Sequence, residues 1–355
     1  MKGVLLNGYG ESLDLLEYKT DLPVPKPTKS QVLIKIHSTS INPLDNVMRK
    51  GYASSIVDLK LKLPIILGRE CSGEIVEVGD SVWDYEIGDQ VWSASPPFSM
   101  GSHCEYVLVD ESEISLKPKN LSHQQSASIP FASLTAWNSI YNILPSNKKI
   151  TTNTKILVNG GNGGVGFFIL QILKKHLNVN HVSTTCNVNH FEKLKKLTNV
   201  NETIDYNQLN LFSNDNNNNE KFDLVFNCYD GGKNQIENEK KCIDALKDGG
   251  NLIGFNGPLV KFSDRDGILS GLPIGMMNQL NSSDRIKKQY SKNVQLDYAI
   301  FSPSGSTLKQ ISKLYEKNIL IPNIDKQFNL NEIKEAYNCF ENSNSNGKII
   351  INNNF

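Results

Sequence analysis

Three short stretches hold the residue types that could do chemistry. The run Val158-Asn159-Gly160-Gly161-Asn162-Gly163-Gly164-Val165-Gly166 follows an apolar, β-branched segment (Ile156, Leu157, Val158) and precedes an apolar-periodic one, Phe167 to Leu173. Strand, glycine turn and helix in that order form a cradle for a dinucleotide pyrophosphate. Glycine lets the backbone turn tightly and approach the phosphates, and free N–H groups at a helix start attract negative charge. Glycine turns of this kind also join strands to helices with no ligand at all. The second stretch, Thr39 to Tyr52, places Asn42 and Asp45 three residues apart, on one face of a helical turn. That pair suits a catalytic face and equally an Asn-Pro cap with Asp in the first turn. The third stretch, Pro64 to Gly73, ends an apolar run in Arg69-Glu70, a pair whose usual role is structural.

The elements needed to position these residues are legible in the pattern. Up to about Pro130 the chain reads as short strands, at Gln31–His37, Gly73–Gly79, Asp89–Trp92 and Glu105–Val109, broken by Gly, Pro, Asp and Ser. An irregular barrel follows from that pattern. From Thr154 strands and helices alternate. Strands are expected at Lys155–Asn159, Val182–Cys186, Thr203–Tyr206, Asp223–Cys228 and Asn251–Phe255, with helices at Gly164–His176, His190–Thr198 and Gln235–Leu246. The expected class is α/β: a barrel domain from residues 1–129 with 302–355, and a doubly wound parallel-sheet domain from 130–301. Helix Ser306–Lys317 and strand Lys348–Asn352 then need the barrel as partner. The polar tract Asn214–Asn219 reads as a loop insertion.

The end of the second strand of the alternating region bears on cofactor choice. An NAD site places Asp or Glu there to bind the ribose 2′-OH. The segment Val182-Ser183-Thr184-Thr185-Cys186-Asn187-Val188-Asn189-His190 has no acid, while Asn187, His190 and Lys193 tolerate a 2′-phosphate. The stretch therefore favours NADPH over NADH; an ordinary polar loop that accepts both is the plainer reading. Tyr206, ending the third strand, suits stacking beside the adenosine phosphate or simple edge packing.

Composition excludes several classes. The 37 basic and 37 acidic residues cancel, so no single-sign field argues for nucleic acid or an anionic membrane surface. No apolar run approaches the length of a membrane span. The six cysteines, Cys71, Cys104, Cys186, Cys228, Cys242 and Cys339, include no CxxC pair, which fits free thiols in a reducing compartment. The opening Met1-Lys2-Gly3-Val4-Leu5-Leu6 reads as a strand, so a cytosolic protein, or one whose targeting information is internal or absent from this sequence, is expected.

Thr39–Tyr52, Leu67–Gly79, Gly88–Val91, Ala127–Trp137 and the glycine turn together resemble the medium-chain dehydrogenase/reductase superfamily, in its zinc-free quinone oxidoreductase branch. The resemblance runs nearly end to end. Asn42-Pro43-Leu44-Asp45, Met48 to Tyr52, Leu67 to Gly73, Val91 to Pro97, Leu121-Ser122, Ala127 to Pro130 and Leu134 to Trp137 are similar to a reticulon-interacting group of mitochondrial NADPH oxidoreductases. The resemblance implies a GroES-like barrel and a Rossmann domain. In the zinc alcohol dehydrogenases of the superfamily a Cys stands at the position of Asn42 and a His at that of Arg69. An amide and a guanidinium cannot supply that thiolate and imidazole, so no metal site is expected.

The chemistry implied is hydride transfer from NADPH to a quinone or an enone, with negative charge developing on oxygen. Tyr52 resembles a tyrosine at nearly this spacing in related enoyl thioester reductases and is the expected proton donor, although the loop here is one residue shorter. A barrel-surface tyrosine is the alternative. The resemblance places Asn42, Asp45 and Thr135 beside the nicotinamide, and Asn162, Gly163, Gly164, Val165 and Gly166 on the pyrophosphate. Asn187 and Tyr206 flank the 2′-phosphate, and Tyr229 and Tyr298 are further cofactor candidates. It also implies a mitochondrial setting linked to ubiquinone metabolism, with a reticulon-type membrane protein as partner; a homodimer is one expected assembly. An enoyl thioester reductase and a non-catalytic NADPH-binding scaffold are the rival readings.

Overall fold

The structure is a computed structural model describing residues 1–144, 148–208, 221–229, 234–266, 268–342 and 346–353. The polar tract Asn214–Asn219 lies outside the described residues. Backbone contacts divide the chain into two units, Met1–Leu134 with Phe301–Phe355, and Thr135–Ile300.

The first unit is built mainly from antiparallel strands. β1 (Gly3–Leu6) pairs with β2 (Leu16–Lys19) and β4 (Ile65–Ile66). A larger sheet is formed by β3 (Gln31–Ile41), β5 (Glu70–Val78), β6 (Gln90–Ala94), β7 (Tyr106–Asp110), β8 (Ile114–Leu116), β15 (Ile324–Asn329) and β16 (Lys348–Asn352). Its order is β15-β16-β3-β5-β6-β8, with β7 also on β3. Alternate residues Val32, Ile34 and Ile36 of β3 point into a core with Ile75, Val91, Val107, Val109 and Ile114, as the period of two requires. The expectation that the final strand pairs with the barrel is met. β16 runs antiparallel to β3 with Ile349 opposite Ile41, so Lys348 arrives opposite Asn42.

The second unit carries six parallel strands: β9 (Lys155–Asn159), β10 (His181–Cys186), β11 (Glu202–Asp205), β12 (Phe222–Asn227), β13 (Leu246–Gly254) and β14 (Gln295–Tyr298). Their order, β11-β10-β9-β12-β13-β14, is the doubly wound 3-2-1-4-5-6 arrangement, and the strand order reverses between β9 and β12. Ligands of such sheets lie beyond the strands' carboxyl ends at that reversal.

Two departures from the expected pattern have local causes. The helix after the glycine turn is α-helical over Gly164–Gln171 and widens to a π turn at Ile172–His176, where Leu177 N–H reaches back to the Ile172 carbonyl at 2.9 Å. Three helices, Pro258–Asp266, Ile268–Leu280 and Ser282–Tyr290, fill a stretch with no clear sequence signal. Pro273 and Gly271 sit inside the middle helix and obscure its periodicity. Gly271 is there for contact: a Cβ at this residue would lie 2.1 Å from the Phe262 carbonyl oxygen.

Candidate functional site

Three glycines of Gly161-Asn162-Gly163-Gly164-Val165-Gly166 differ in their steric surroundings. Gly160, just before it, turns the chain at φ +88°. A Cβ on Gly161 would lie 2.0 Å from Thr184 Oγ1, and one on Gly166 would lie 2.3 Å from the Gly160 carbonyl oxygen. The turn is therefore pressed against β10 on one side and against its own helix on the other. Gly163 differs. Its Cβ would meet only the Gly160 carbonyl oxygen, at 3.4 Å, and the residue is exposed. These are the demands of a dinucleotide fingerprint: a tight turn, an open face for close phosphate approach, and tight helix packing. Gly163 caps the helix that starts at Gly164 and has no side chain to occupy the first-turn N–H groups.

The parallel register aligns the other expected cofactor residues. Thr185 of β10 is opposite Asn159 of β9, and Cys186 is opposite Asp205 of β11. Asn187 and Tyr206 therefore leave neighbouring strands at the same level. The Asn187 side chain accepts the Asn189 N–H at 3.0 Å and caps a short 3-10 turn. Tyr206 is exposed. Tyr229 follows β12 and is exposed, and its Cβ would lie 3.2 Å from a Cβ on Gly160, which places it beside the glycine turn. Tyr298 ends β14, half-buried against Gly254 at the end of β13. It also lines a cavity of about 650 Å³ along β14, which includes Lys148, Gly249 and Asp297 but no residue of the glycine turn. Thr135 is buried in the helix Pro130–Tyr141.

In the first unit, Asn42 and Asp45 are both buried, at 1% and 0% exposure, inside a charged cluster. Asp45 lies in the first turn of the helix Pro43–Arg49, where its Oδ2 accepts the Asn42 N–H at 2.8 Å and its Oδ1 accepts the Gly68 N–H at 3.0 Å. Burial raises its carboxyl to about 6, against the pull of the Arg69 guanidinium 3.7 Å away. Arg69 and Glu70 turn to different partners. Arg69 donates to the carbonyls of Pro96 (2.7 Å), Ser99 and Ile66. Glu70 accepts from Asn42 Nδ2 (2.8 Å), Ser40 Oγ (2.5 Å), Lys348 Nζ (2.7 Å) and the Phe131 N–H (2.8 Å). Lys348 Nζ also donates to Asn42 Oδ1 at 2.6 Å. Two carboxylates are thus buried with two cations, the balance that makes buried charge tolerable. Zinc does not fit this arrangement, because Asn42 and Arg69 offer no thiolate or imidazole and the fixed cations Arg69 and Lys348 would repel a metal ion.

Tyr52 lies in the turn after the helix Pro43–Arg49, half-buried, its N–H donating to the Val47 carbonyl at 3.0 Å. Lys348, Thr185, Asn159, Asn227 and Asn238 carry polar contacts that the sequence reading did not single out. Their one sequence signal is position: three of them sit at or next to the carboxyl end of a strand beside the reversal point.

Comparison with known proteins agrees with this fold. Residues 28–119 match an alcohol dehydrogenase GroES-like domain, and residues 198–351 match the domain described as zinc-binding dehydrogenase. The chain is 90% identical, over all of both sequences, to the mitochondrial NAD(P)H oxidoreductase RTN4IP1 of Dictyostelium discoideum. It is 32% identical to the protein of that name from Danio rerio, over 99% of this chain and 91% of the relative. The solved quinone oxidoreductase of Coxiella burnetii superposes with a TM-score of 0.79 at 25% identity, over 99% of each chain.

Proposed function

We propose that this chain, which belongs to the RTN4IP1 family of NAD(P)H oxidoreductases within the medium-chain dehydrogenase/reductase superfamily, is a zinc-independent NADPH-dependent reductase of a quinone or a conjugated carbonyl. The observation that carries the reading is the glycine turn: Gly163 leaves an open face at the start of a helix with no side-chain cap, and the neighbouring strand β10 is followed by Asn187 with no acid. Bound NADPH supplies the hydride. The turn at Asn162 to Gly166 holds the pyrophosphate, and Asn187 and Tyr206 flank the 2′-phosphate. Thr135 contacts the nicotinamide, and Tyr229 and Tyr298 are further cofactor contacts.

Tyr52 is the proposed proton donor to the oxygen that gains charge. Asn42 and Asp45 act as positioning residues: Asp45 bonds the backbone on either side of it, at Asn42 and Gly68, and Asn42 is held by Lys348 and Glu70. We extend the mitochondrial setting named for the relatives, and a reticulon-type membrane partner, to this chain on the same resemblance.

Fluorescence titration with NADPH and NADH, followed by turnover of a panel of quinones and enones, tests the reading. Tighter NADPH binding with quinone or enone turnover is expected. Binding without turnover of any acceptor would favour a scaffold, and tighter NADH binding would refute the 2′-phosphate assignment. Tyr52→Phe is expected to lower kcat for the accepted substrate with little change in NADPH affinity. Unchanged turnover removes the proton-donor role.

A further inference from the structure

Four polar side chains meet beneath the glycine turn and belong to none of the roles above. Asn159 (2% exposed), Thr185 (1%) and Asn238 (9%) are buried, and Asn227 is half-buried. They come from the ends of β9, β10 and β12 and from the helix Gln235–Ala245. Thr185 grips the turn twice: its carbonyl accepts the Gly161 N–H at 3.1 Å and its Oγ1 accepts the Gly160 N–H at 3.0 Å. The Thr185 hydroxyl then donates to Asn159 Oδ1 at 2.5 Å. Asn159 Nδ2 donates to Asn227 Oδ1 (2.8 Å) and Asn238 Oδ1 (3.0 Å). Asn238 Nδ2 donates to Asn227 Oδ1 (3.1 Å) and to the Tyr229 carbonyl (2.7 Å).

The direction of every bond in this chain is set by its ends. The Gly160 N–H can only donate and the Tyr229 carbonyl can only accept, so the hydroxyl and the amides between them have one consistent orientation. Reversing any one amide would set donor against donor or acceptor against acceptor. The network therefore ties the first residue of the pyrophosphate turn to the segment after β12, across the point where the strand order reverses.

We infer that Thr185, Asn159, Asn238 and Asn227 form a positioning network that presets the turn for the dinucleotide. The inference rests on the NADPH reading above. Burying polar amides among apolar side chains gains little over well-packed hydrophobic residues, so stability alone is a poor account of them. Presetting is a better one. Affinity falls in proportion to the fraction of molecules whose site is already competent, so a turn held by directional bonds binds more tightly than the same turn left to fluctuate. The network acts through the turn and touches no ligand itself.

Thr185→Val removes the hydroxyl and keeps the shape, leaving the Gly160 N–H and Asn159 Oδ1 each one partner short. The expected result is about a tenfold weaker NADPH Kd by fluorescence titration, with the affinity for adenosine 2′-monophosphate, which has no pyrophosphate, unchanged within about twofold. Hydrogen exchange at Gly160 should accelerate. Thr185→Ser should restore NADPH affinity. Asn238→Leu, at the far end of the network, should weaken NADPH in the same selective way and serves if Thr185→Val fails to fold. The inference is overturned if a folded variant loses thermal stability while keeping wild-type NADPH affinity, or if both ligands weaken equally. Failure of the wild-type protein to bind either nicotinamide dinucleotide would instead overturn the functional reading, and this inference with it.

Discussion

Replacing Gly163 with alanine should separate binding from folding, because this glycine is open where its neighbours are not. Its built Cβ has one neighbour, the Gly160 carbonyl oxygen at 3.4 Å, and its backbone φ of −73° suits any residue. Losing a glycine helix cap costs a few tenths to about 1 kcal/mol, and the stiffer unfolded chain returns about 0.4–1 kcal/mol. Stability should therefore change by less than about 1 kcal/mol. On the proposed reading, the methyl nevertheless stands where the phosphates approach the first-turn N–H groups. Losing one charge-assisted hydrogen bond, about 1.5–3 kcal/mol, raises the NADPH Kd by about ten- to a hundredfold. Gly161→Ala is the counterpart. Its Cβ would lie 2.0 Å from Thr184 Oγ1, in a fully buried side chain whose hydroxyl donates to the Val158 carbonyl at 2.7 Å. Overpacking and the displaced hydrogen bond together cost about 2–5 kcal/mol. Urea unfolding and NADPH titration on both variants decide the matter. Wild-type affinity in Gly163→Ala, or a wild-type urea midpoint in Gly161→Ala, would refute the steric assignment of the turn.

Asn187→Asp puts a carboxylate at the end of β10 and should weaken NADPH by about tenfold while improving NADH, read by paired titrations. Dialysis against a strong chelator should leave quinone turnover unchanged, since Asn42 and Arg69 supply no ligand set for zinc; a loss restored by zinc would contradict this. Lys348→Met strips the ammonium from Glu70 and Asn42 and should destabilise the protein by about 3–5 kcal/mol in urea melts. His103 is fully buried, and burial lowers its pKa from 6.5 to about 4. Between those values the unfolded chain binds the proton and the folded one does not. Its contribution is therefore complete above pH 6.5 and is lost as pH falls toward 4. Asp45, raised to about 6, works in the opposite sense, favouring the fold below pH 3.8 and losing that contribution as pH rises to 6. His103→Gln should accordingly reduce the acid loss of stability between pH 6.5 and 4, measured by urea midpoints at a series of pH values.

What the amino-acid sequence determines by itself is everything whose cause lies among near neighbours. The glycine turn is legible because its steric demands fall on consecutive residues, and the first five of the six parallel strands because each apolar run is flanked by its own turn or helix signals; β14 follows three helices that leave no clear pattern and is not legible. The missing acid after Cys186 is equally a local fact. The lost metal ligands at Asn42 and Arg69 are visible once the surrounding motif is matched to a family. Tertiary structure decides which distant groups meet. Asn42 and Asp45 look alike in spacing, yet Asp45 bonds the backbone of Asn42 and Gly68 while the Asn42 side chain bonds Lys348, placed 306 residues later by the β3–β16 register. Arg69 and Glu70, adjacent in the chain, end in separate ion pairs, Arg69 from the bend before β5 with Asp45 and Glu70 from the first residue of β5 with Lys348. The amide network under the turn draws on four separate elements, so no window of sequence contains it. Periodicity and turn chemistry are written in a few consecutive residues, whereas a buried polar partner is chosen by strand order and register, which exist only once the sheet has closed.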